Sequence, residues 1–472
     1  MNDLEVMVIG AGAAGLCAAL AAHDAGARRL LIAESEDVVG GSSRLSGGLI
    51  MGAGTAMQRA EGIDDSGEAL FHDYLSLNQW QVDAGVVRVF CDNCGPTVDW
   101  LAALGVDFRD ELVIGGEERF PRTHWVKGSG QGLVDALHRE VRNREIDLAL
   151  GQRVDRLLVA DGRVVGVAAG GDELTADAVI ITTGGFGANP ERLAELYPQA
   201  LHGDWTWYIG ADGARGDGLD LGAAAGAQIT GHERGLRLLH PNFVRTLEAY
   251  LPAWTVVVDR NGRRFYDESA PYGIVDGQHH AAGDRAFVIF DDVMLRHTER
   301  WPSYKDKTMD GYMQTPNWNP IMVDEQVERG AMVAAGSVTD LAEGLGLRPD
   351  VLAGTVAAYN DAAVTGVDRQ FAKAGKFLHP IATPPFYGAE VRPATICLTS
   401  TGLRIDPDAR VLDTVGSPIE GLFAAGETTG GVLGPRYMGS GNSLANCTTM
   451  GRIAGTAAAL APANQRAPAG ER

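Results

Sequence analysis

Three glycines close to the start of the chain, Gly10, Gly12 and Gly15, stand at G-x-G-x-x-G spacing within VMVIGAGAAGLCAALAA, and Glu34 follows about twenty residues later. An apolar run precedes them and an alanine-rich run follows, so the spacing falls at a strand-to-helix turn. The first glycine permits the tight turn, the second lets a pyrophosphate approach the backbone, and the third lets helix and strand pack closely. The helix N-terminus offers unpaired N–H groups and a positive dipole end to phosphates. Glu34 suits a ribose as hydrogen-bond acceptor, and its charge disfavours a 2′-phosphate. A second glycine cluster, GLFAAGETTGGVLGPRYMGSGNSLANCTTMGRIAG, nearly closes the chain and sets Glu427, Arg436, Tyr437 and Ser443 among glycines.

Positioning these groups needs a particular frame. Residues 5 to 9 read as a short buried strand, a helix runs to about Asp24, and Leu30 to Glu34 is a second strand. This βαβ opening implies a parallel sheet with helices on its faces. Residues 153 to 168 alternate around Asp161-Gly162 and read as a hairpin. ADAVIITTGG, ending at Gly185, returns the chain to the parallel sheet. From roughly 235 to 392 aromatic residues and prolines increase and helical stretches such as 324 to 363 follow, so a separate inserted domain is expected. The strand–loop–helix at 421 to 460 then rejoins the first. The predicted division is 1–235, 236–392 and 393–472, with a disordered tail from about 461.

Acids outnumber bases by 61 to 40, a net charge of −21, which argues against nucleic acid or an anionic membrane surface as partner. No apolar run reaches the length of a membrane span. Asp3 and Glu5 fall where a secretion signal would carry Lys or Arg, so the cytoplasm is the expected location. Five cysteines make a disulfide framework improbable. Cys91-x-x-Cys94 lies where Phe90, Cys94, Val98 and Leu101 recur at helical spacing, with no second Cys or His pair nearby. Structural thiols and no metal centre are expected.

The small-residue run Gly40-Gly41-Ser42-Ser43-Arg44-Leu45-Ser46-Gly47-Gly48 suits a wall lying flat against a bulky ring system. Glu427, ending FAAGE, is placed for a second ribose, and Ser443-Leu444 opens a final helix whose N–H groups could meet a flavin carbonyl. With GGSSRLSGG, TTGGFGAN (182 to 189), RGDGLDLGAAAGA (215 to 227), VVVDRNGRRFYDES (256 to 269) and AAGETTGG…GSGNSL…GRIAG, the chain resembles the FAD-dependent fumarate reductase and 3-ketosteroid dehydrogenase superfamily over almost its whole length. The resemblance implies an α/β architecture: a Rossmann-like FAD-binding domain with a mixed, mainly parallel sheet, and an inserted α+β capping domain that meets substrate. It places FAD against Gly10, Gly12, Ala13, Ala14, Gly15, Glu34 and Ser35, and against Gly40, Gly41, Ser42, Ser43, Ser46, Gly47 and Gly48. The same set continues through Val154, Thr183, Gly184, Gly185, Asp217, Gly426, Glu427, Gly441, Ser443 and Leu444. His23 is the only histidine before His72, so non-covalent FAD is expected.

The two branches of the superfamily differ at a few positions. For the reductase branch, His240 in LHPNF resembles a substrate-binding histidine and Arg264 in GRRF resembles an acid arginine. That branch also carries a histidine pair where Cys397-Leu398 stands, and an arginine where Tyr437 aligns, with Arg436 one residue off register. The ketosteroid branch fits the closing run Tyr437-Met438-Gly439-Ser440-Gly441 better. There the tyrosine hydroxyl and the last glycine N–H bind a ketone oxygen, and a base tyrosine follows the RF-x-x-E motif, where Tyr272 stands. A C–H beside a ketone is a poor acid, so donors at the oxygen stabilise the developing enolate while a base takes the α-proton and flavin N5 accepts the β-hydrogen as hydride. Tyr272 needs a supporting neighbour, for which Tyr266, Tyr387 and His124 are candidates. The catalytic set is therefore Tyr272, Tyr437, Gly441 and Arg264, and the substrate set His240, Arg436, Tyr437 and Gly441. Arg264 also stands at i, i+4 to Glu268, the spacing of a structural ion pair. The expected activity is desaturation of a cyclic ketone, a 3-ketosteroid or a small ring such as 4-oxocyclohexanecarboxylate, with oxygen, a quinone or an electron carrier as acceptor. Reduction of an unsaturated carboxylic acid is the alternative.

Overall fold

The computed structural model describes residues 2–116, 118–245, 251–297 and 318–461. The expected disordered tail beyond 461 lies outside them. The chain forms two compact units, one of Met1–Gln199, Gly210–Gly235 and Leu398–Arg472, the other of Ala200–Ile209 and Leu236–Cys397. The ten residues Ala200–Ile209, predicted in the first unit, join the second because Trp207 and Tyr208 pair in parallel with Thr395 and Ile396. That pairing also keeps residues 393–397 in the second unit.

In the first unit, the strands run in the order Arg410–Leu412, Pro418–Ala424, Asp172–Ile181, Leu4–Ile9, Leu30–Ala33 and Asp147–Ala149. Every neighbour pair from Pro418–Ala424 onward is parallel, and Arg410–Leu412 adds an antiparallel edge. The hairpin Val154–Ala160/Arg163–Ala169 turns at Asp161 and Gly162, both at positive φ, as a two-residue hairpin turn requires. Helix Ala13–Asp24 is buried along nearly its whole length. A Cβ added at Gly451 or Gly455 would stand 2.4 or 2.0 Å from the carbonyl oxygen of Ala14 or Ala18. Small residues on both helices thus let the closing helix, Asn442–Leu460, lie directly on the opening one. Cys91 and Cys94 are buried in helix Ala84–Ala103, where desolvation pushes the Cys94 thiol up to about 11.

In the second unit, the long strand Phe386–Thr399 is central and pairs antiparallel with Ala286–Asp291 and Val333–Ala335. Val256–Val258 extends the sheet on the far side of Ala286–Asp291. Its core gathers Trp254, Phe290, Trp318 and Tyr387. The stretch 324 to 363, predicted helical throughout, is interrupted: helices Pro320–Glu328, Val338–Gly344 and Pro349–Thr365 are separated by a strand and by caps at Ser337 and Arg348.

Candidate functional site

The first unit holds a cleft of about 840 Å³, open to solvent, built where strand Leu4–Ile9 meets helix Ala13–Asp24. Of the residues that the resemblance places against FAD, Gly10, Gly12, Ala13, Ala14, Glu34, Ser35, Gly41, Ser42, Ser43, Val154, Thr183, Gly184, Asp217 and Glu427 line it. Gly10 sits at φ +104°, and a Cβ there would stand 2.6 Å from the Thr182 carbonyl oxygen. The Glu34 carboxylate accepts the Ala11 N–H at 2.7 Å and the Glu36 N–H at 2.9 Å, which fixes its place at the end of its strand. Ser43 Oγ accepts the Ala13 N–H at 3.2 Å, at the first turn of the opening helix. Glu427 accepts from the Thr399 N–H at 2.9 Å and its hydroxyl at 3.1 Å. Desolvation outweighs those bonds and pushes its carboxyl up to about 7.

Ten residues expected against the cofactor do not line the cleft: Gly15, Gly40, Ser46, Gly47, Gly48, Gly185, Gly426, Gly441, Ser443 and Leu444. Several serve close packing instead. A Cβ at Gly15 would lie 1.9 Å from the Gly10 carbonyl oxygen, one at Gly48 2.4 Å from the Ser129 backbone, and one at Gly185 2.3 Å from the Glu427 carboxylate. The Ser443 N–H, expected to face a flavin carbonyl, donates instead to the Tyr437 hydroxyl oxygen at 2.9 Å. Tyr437 is thereby set at the N-terminus of Asn442–Leu460. Gly441, at φ +93°, is pressed against strand Leu49–Met51, where a Cβ would stand 2.7 Å from the Met51 nitrogen. The Arg436 guanidinium donates to the Pro435 carbonyl at 3.1 Å and makes no ion pair among the described residues.

Within the second unit, two candidate cations have other uses. Arg264 is 1% exposed and donates to Glu268 at 2.8 Å and Asp368 at 3.0 Å, while Lys373 lies 3.2 Å from Glu268. Two carboxylates neutralise its charge, so its assignment as catalytic acid is corrected to a buried structural ion pair. His240 is 2% exposed; its Nδ1 accepts the Asn242 N–H at 3.0 Å and its Nε2 lies 3.1 Å from the Val244 carbonyl. Those partners fix the neutral Nε2–H tautomer, and burial lowers its pKa. Its assignment as a substrate donor is likewise corrected: the imidazole locks its own turn. Tyr272 opens helix Tyr272–Ala281 and lines a cavity with Tyr266, Arg237 and Asp276. Of the proposed supporters, Tyr266 lines that cavity with it and lies 3.3 Å from His279. Tyr387 donates to Asp292 at 3.2 Å. His124, in the first unit, is fully buried between Thr55 and the Arg122 carbonyl, and desolvation holds it down to about 4, so it is a core residue.

Residues 5–444 match the model of the FAD binding domain family. The chain belongs to this FAD-binding family. It is 32% identical to a fumarate reductase (cytochrome) of Shewanella frigidimarina over 97% of this chain and 77% of that protein. It also resembles the open conformation of a flavocytochrome c3 fumarate reductase, at 30% identity and a TM-score of 0.69, covering 97% of this chain and 78% of the other. A third likeness is to the 3-ketosteroid-Δ4-(5α)-dehydrogenase of Rhodococcus jostii RHA1, at 25% identity and a TM-score of 0.78, covering 97% and 96%. The protein is thus an FAD-dependent oxidoreductase of the fumarate reductase and ketosteroid dehydrogenase type, acting on CH–CH groups.

The cleft of this flavoprotein fits its cofactor. Thr183 Oγ1 is buried at the cleft wall without a hydrogen-bond partner within the protein, which fits a group placed to meet a polar ligand. Glu36, Gln152, Arg153, Thr182, Ala211, Gly213 and Cys447, none of them among the predicted site residues, also line the cleft. Glu36 accepts the Gly213 N–H at 2.9 Å and Arg153 pairs with Asp217, contacts made across long stretches of chain. Cys447 alone carried a signal: it stands one helical turn after Ser443. Among the described residues no helix is long and apolar enough to cross a membrane.

Proposed function

We propose that this flavoprotein dehydrogenates a cyclic ketone across its α and β carbons. The observation that carries the reading is the Tyr437 hydroxyl, whose oxygen accepts the Ser443 N–H at a helix N-terminus, in the same loop as Gly441. A phenol that accepts from such a donor becomes a better donor itself. Tyr437 O–H and Gly441 N–H would then hold a ketone oxygen and stabilise the negative charge that develops there as the α-proton leaves. Tyr272 would take that proton. FAD, held by the cleft residues, supplies the two-electron acceptor for the hydrogen that departs from the β-carbon.

The charges in the second unit support a ketone over a dicarboxylate. A dicarboxylate needs cations at both ends, yet Arg264 is neutralised by Glu268 and Asp368, and Arg237 by Asp276 and Asp284. His240 is neutral. Arg436, with no ion pair among the described residues, would hold one carboxylate, which suits 4-oxocyclohexanecarboxylate; a 3-ketosteroid would use the ketone donors alone. The likeness to a dehydrogenase crystallised with 4-androstene-3,17-dione supports the same class. An oxygen, quinone or carrier acceptor completes the turnover.

The test is anaerobic bleaching of the flavin absorbance by 5α-androstane-3,17-dione, cyclohexanone and 4-oxocyclohexanecarboxylate. Bleaching by at least one ring ketone, lost in Tyr272→Phe, is the expected result; no bleaching by any overturns the reading. The 32% identity to a fumarate reductase favours a second reading, reduction of an unsaturated carboxylic acid. Reoxidation of the reduced protein by fumarate, with no response to ketones, would select it.

A further inference from the structure

We infer that Tyr74 is a positioning residue for the Tyr437–Gly441 donor pair, a single hydroxyl that ties together the two ends of the loop carrying both. The inference rests on reading Tyr437 and Gly441 as ketone-oxygen donors. Tyr74 lies on helix Gly67–Asn78 and is fully buried. Its O–H donates to the Val432 carbonyl at 3.0 Å, and its oxygen accepts from Asn442 Nδ2 at 3.0 Å. Val432 precedes the loop and Asn442 follows it, so the loop is strung between two bonds to one atom.

The same helix holds the loop at its middle. Asn78, one turn after Tyr74, donates to the Tyr74 carbonyl at 3.2 Å and accepts the Arg436 N–H at 2.9 Å. A Cβ at Gly434 would stand 2.1 Å from Asn78 Oδ1, so glycine is what lets the loop come this near. On the opposite flank, Ser440 N–H donates to Gly115, Thr123 donates to the Ser440 carbonyl at 2.7 Å, and Met51 N–H donates to Gly441 at 3.1 Å. The backbone is therefore fixed at residue 436 and again from 440 to 442, with Tyr437 between. Burial pushes the Tyr74 phenol up, so it remains protonated and keeps its donor bond to Val432. Because that proton points at Val432, only its oxygen faces Asn442, which fixes the amide orientation.

A rigid loop is what a two-donor clamp requires, since a misplacement of about 1 Å can cost about 100-fold in rate. Neither Tyr74 nor Asn78 need touch substrate to matter. The experiment is a double-mutant cycle on the FAD-loaded protein with p-nitrophenol, whose phenolate oxygen resembles an enolate, read as its absorbance shift on binding. Tyr437→Phe should weaken binding about 100-fold and Tyr74→Phe about tenfold, a change that spreads over a loosened loop. Tyr74→Phe in the Tyr437→Phe background should then weaken binding far less than tenfold, because the residue acts through Tyr437. Additive losses, or full affinity in Tyr74→Phe while Tyr437→Phe is impaired, overturn the positioning role alone. Unchanged affinity in Tyr437→Phe overturns the ketone clamp and this inference with it. Should Tyr74→Phe not yield a folded flavoprotein, Asn78→Ala, which removes the acceptor of the Arg436 N–H, takes its place in the same cycle.

Discussion

The closing loop of the first unit and the Arg264 cluster of the second offered the same kind of sequence signal, a polar residue inside a recognisable motif. The structure treats them differently. Tyr437 meets a backbone N–H at the start of a helix, a neutral partner that sharpens its donor character. Arg264 meets two carboxylates, with Lys373 and the rings of Tyr359 and Phe371 around it, and its charge is absorbed into the fold. His240 follows Arg264 rather than Tyr437, since both its nitrogens serve one turn. A residue type offers a chemistry, and the partners supplied by folding decide whether that chemistry remains on offer.

The contrast is most exposed at Arg264. Arg264→Ala removes one member of a buried ion cluster and leaves Asp368 and Glu268 short of charge, a loss of about 3–5 kcal/mol of stability. Thermal denaturation reads it; a variant that keeps its melting temperature but loses turnover would make Arg264 a catalytic cation and erase the contrast. Tyr437→Phe should do the converse: turnover lower by about 10²–10³, with FAD retained and the melting temperature nearly unchanged. His240→Ala should cost about 1–3 kcal/mol of stability, from an unpartnered Asn242 N–H, and leave the KM for a ketone where it was.

Smaller effects come from titration. His240, His124 and His279 are all held neutral by burial, the last at about 3. Below an unfolded value near 6.5 the unfolded chain binds protons that the folded chain refuses, so stability should fall as pH drops from about 6.5 towards 4. Glu427 works the other way. Its folded value near 7 lies above the ordinary 4.5, so the folded state keeps a proton that the unfolded state has lost, and stability falls as pH rises through that window. In melting curves of flavin-free protein, the stability of the wild type relative to Glu427→Gln should decline from pH 5 to pH 8, a comparison in which the histidine contributions cancel. An identical pH profile in that variant would mean that the cleft leaves Glu427 well solvated.

Much of the frame was legible beforehand. The βαβ opening, the hairpin at Asp161-Gly162 and the return strand to Ile181 each rest on local pattern: alternation, a turn dipeptide, a glycine turn before an alanine-rich helix. The cofactor cleft was legible where its lining comes from those same motifs, and dark where it comes from Glu36, Arg153 or Gly213, whose contacts span long sequence separations. The uniform helix expected over 324 to 363 failed because a Ser337 side-chain cap and a Val333–Ala335 strand cut a periodicity that composition alone could not divide.

By itself, the sequence determined the class of cofactor, the parallel sheet that presents it and the residue types available for chemistry, because these follow from short-range spacing and from atoms that every copy of the motif carries. Only the tertiary structure decided which of those residues keep their chemistry. Hydrogen-bond capacity and charge are finite, and long-range packing assigned the guanidinium of Arg264 to Glu268 and Asp368, the imidazole of His240 to its own turn, and the hydroxyl of Tyr437 to a helix end held in place by Tyr74.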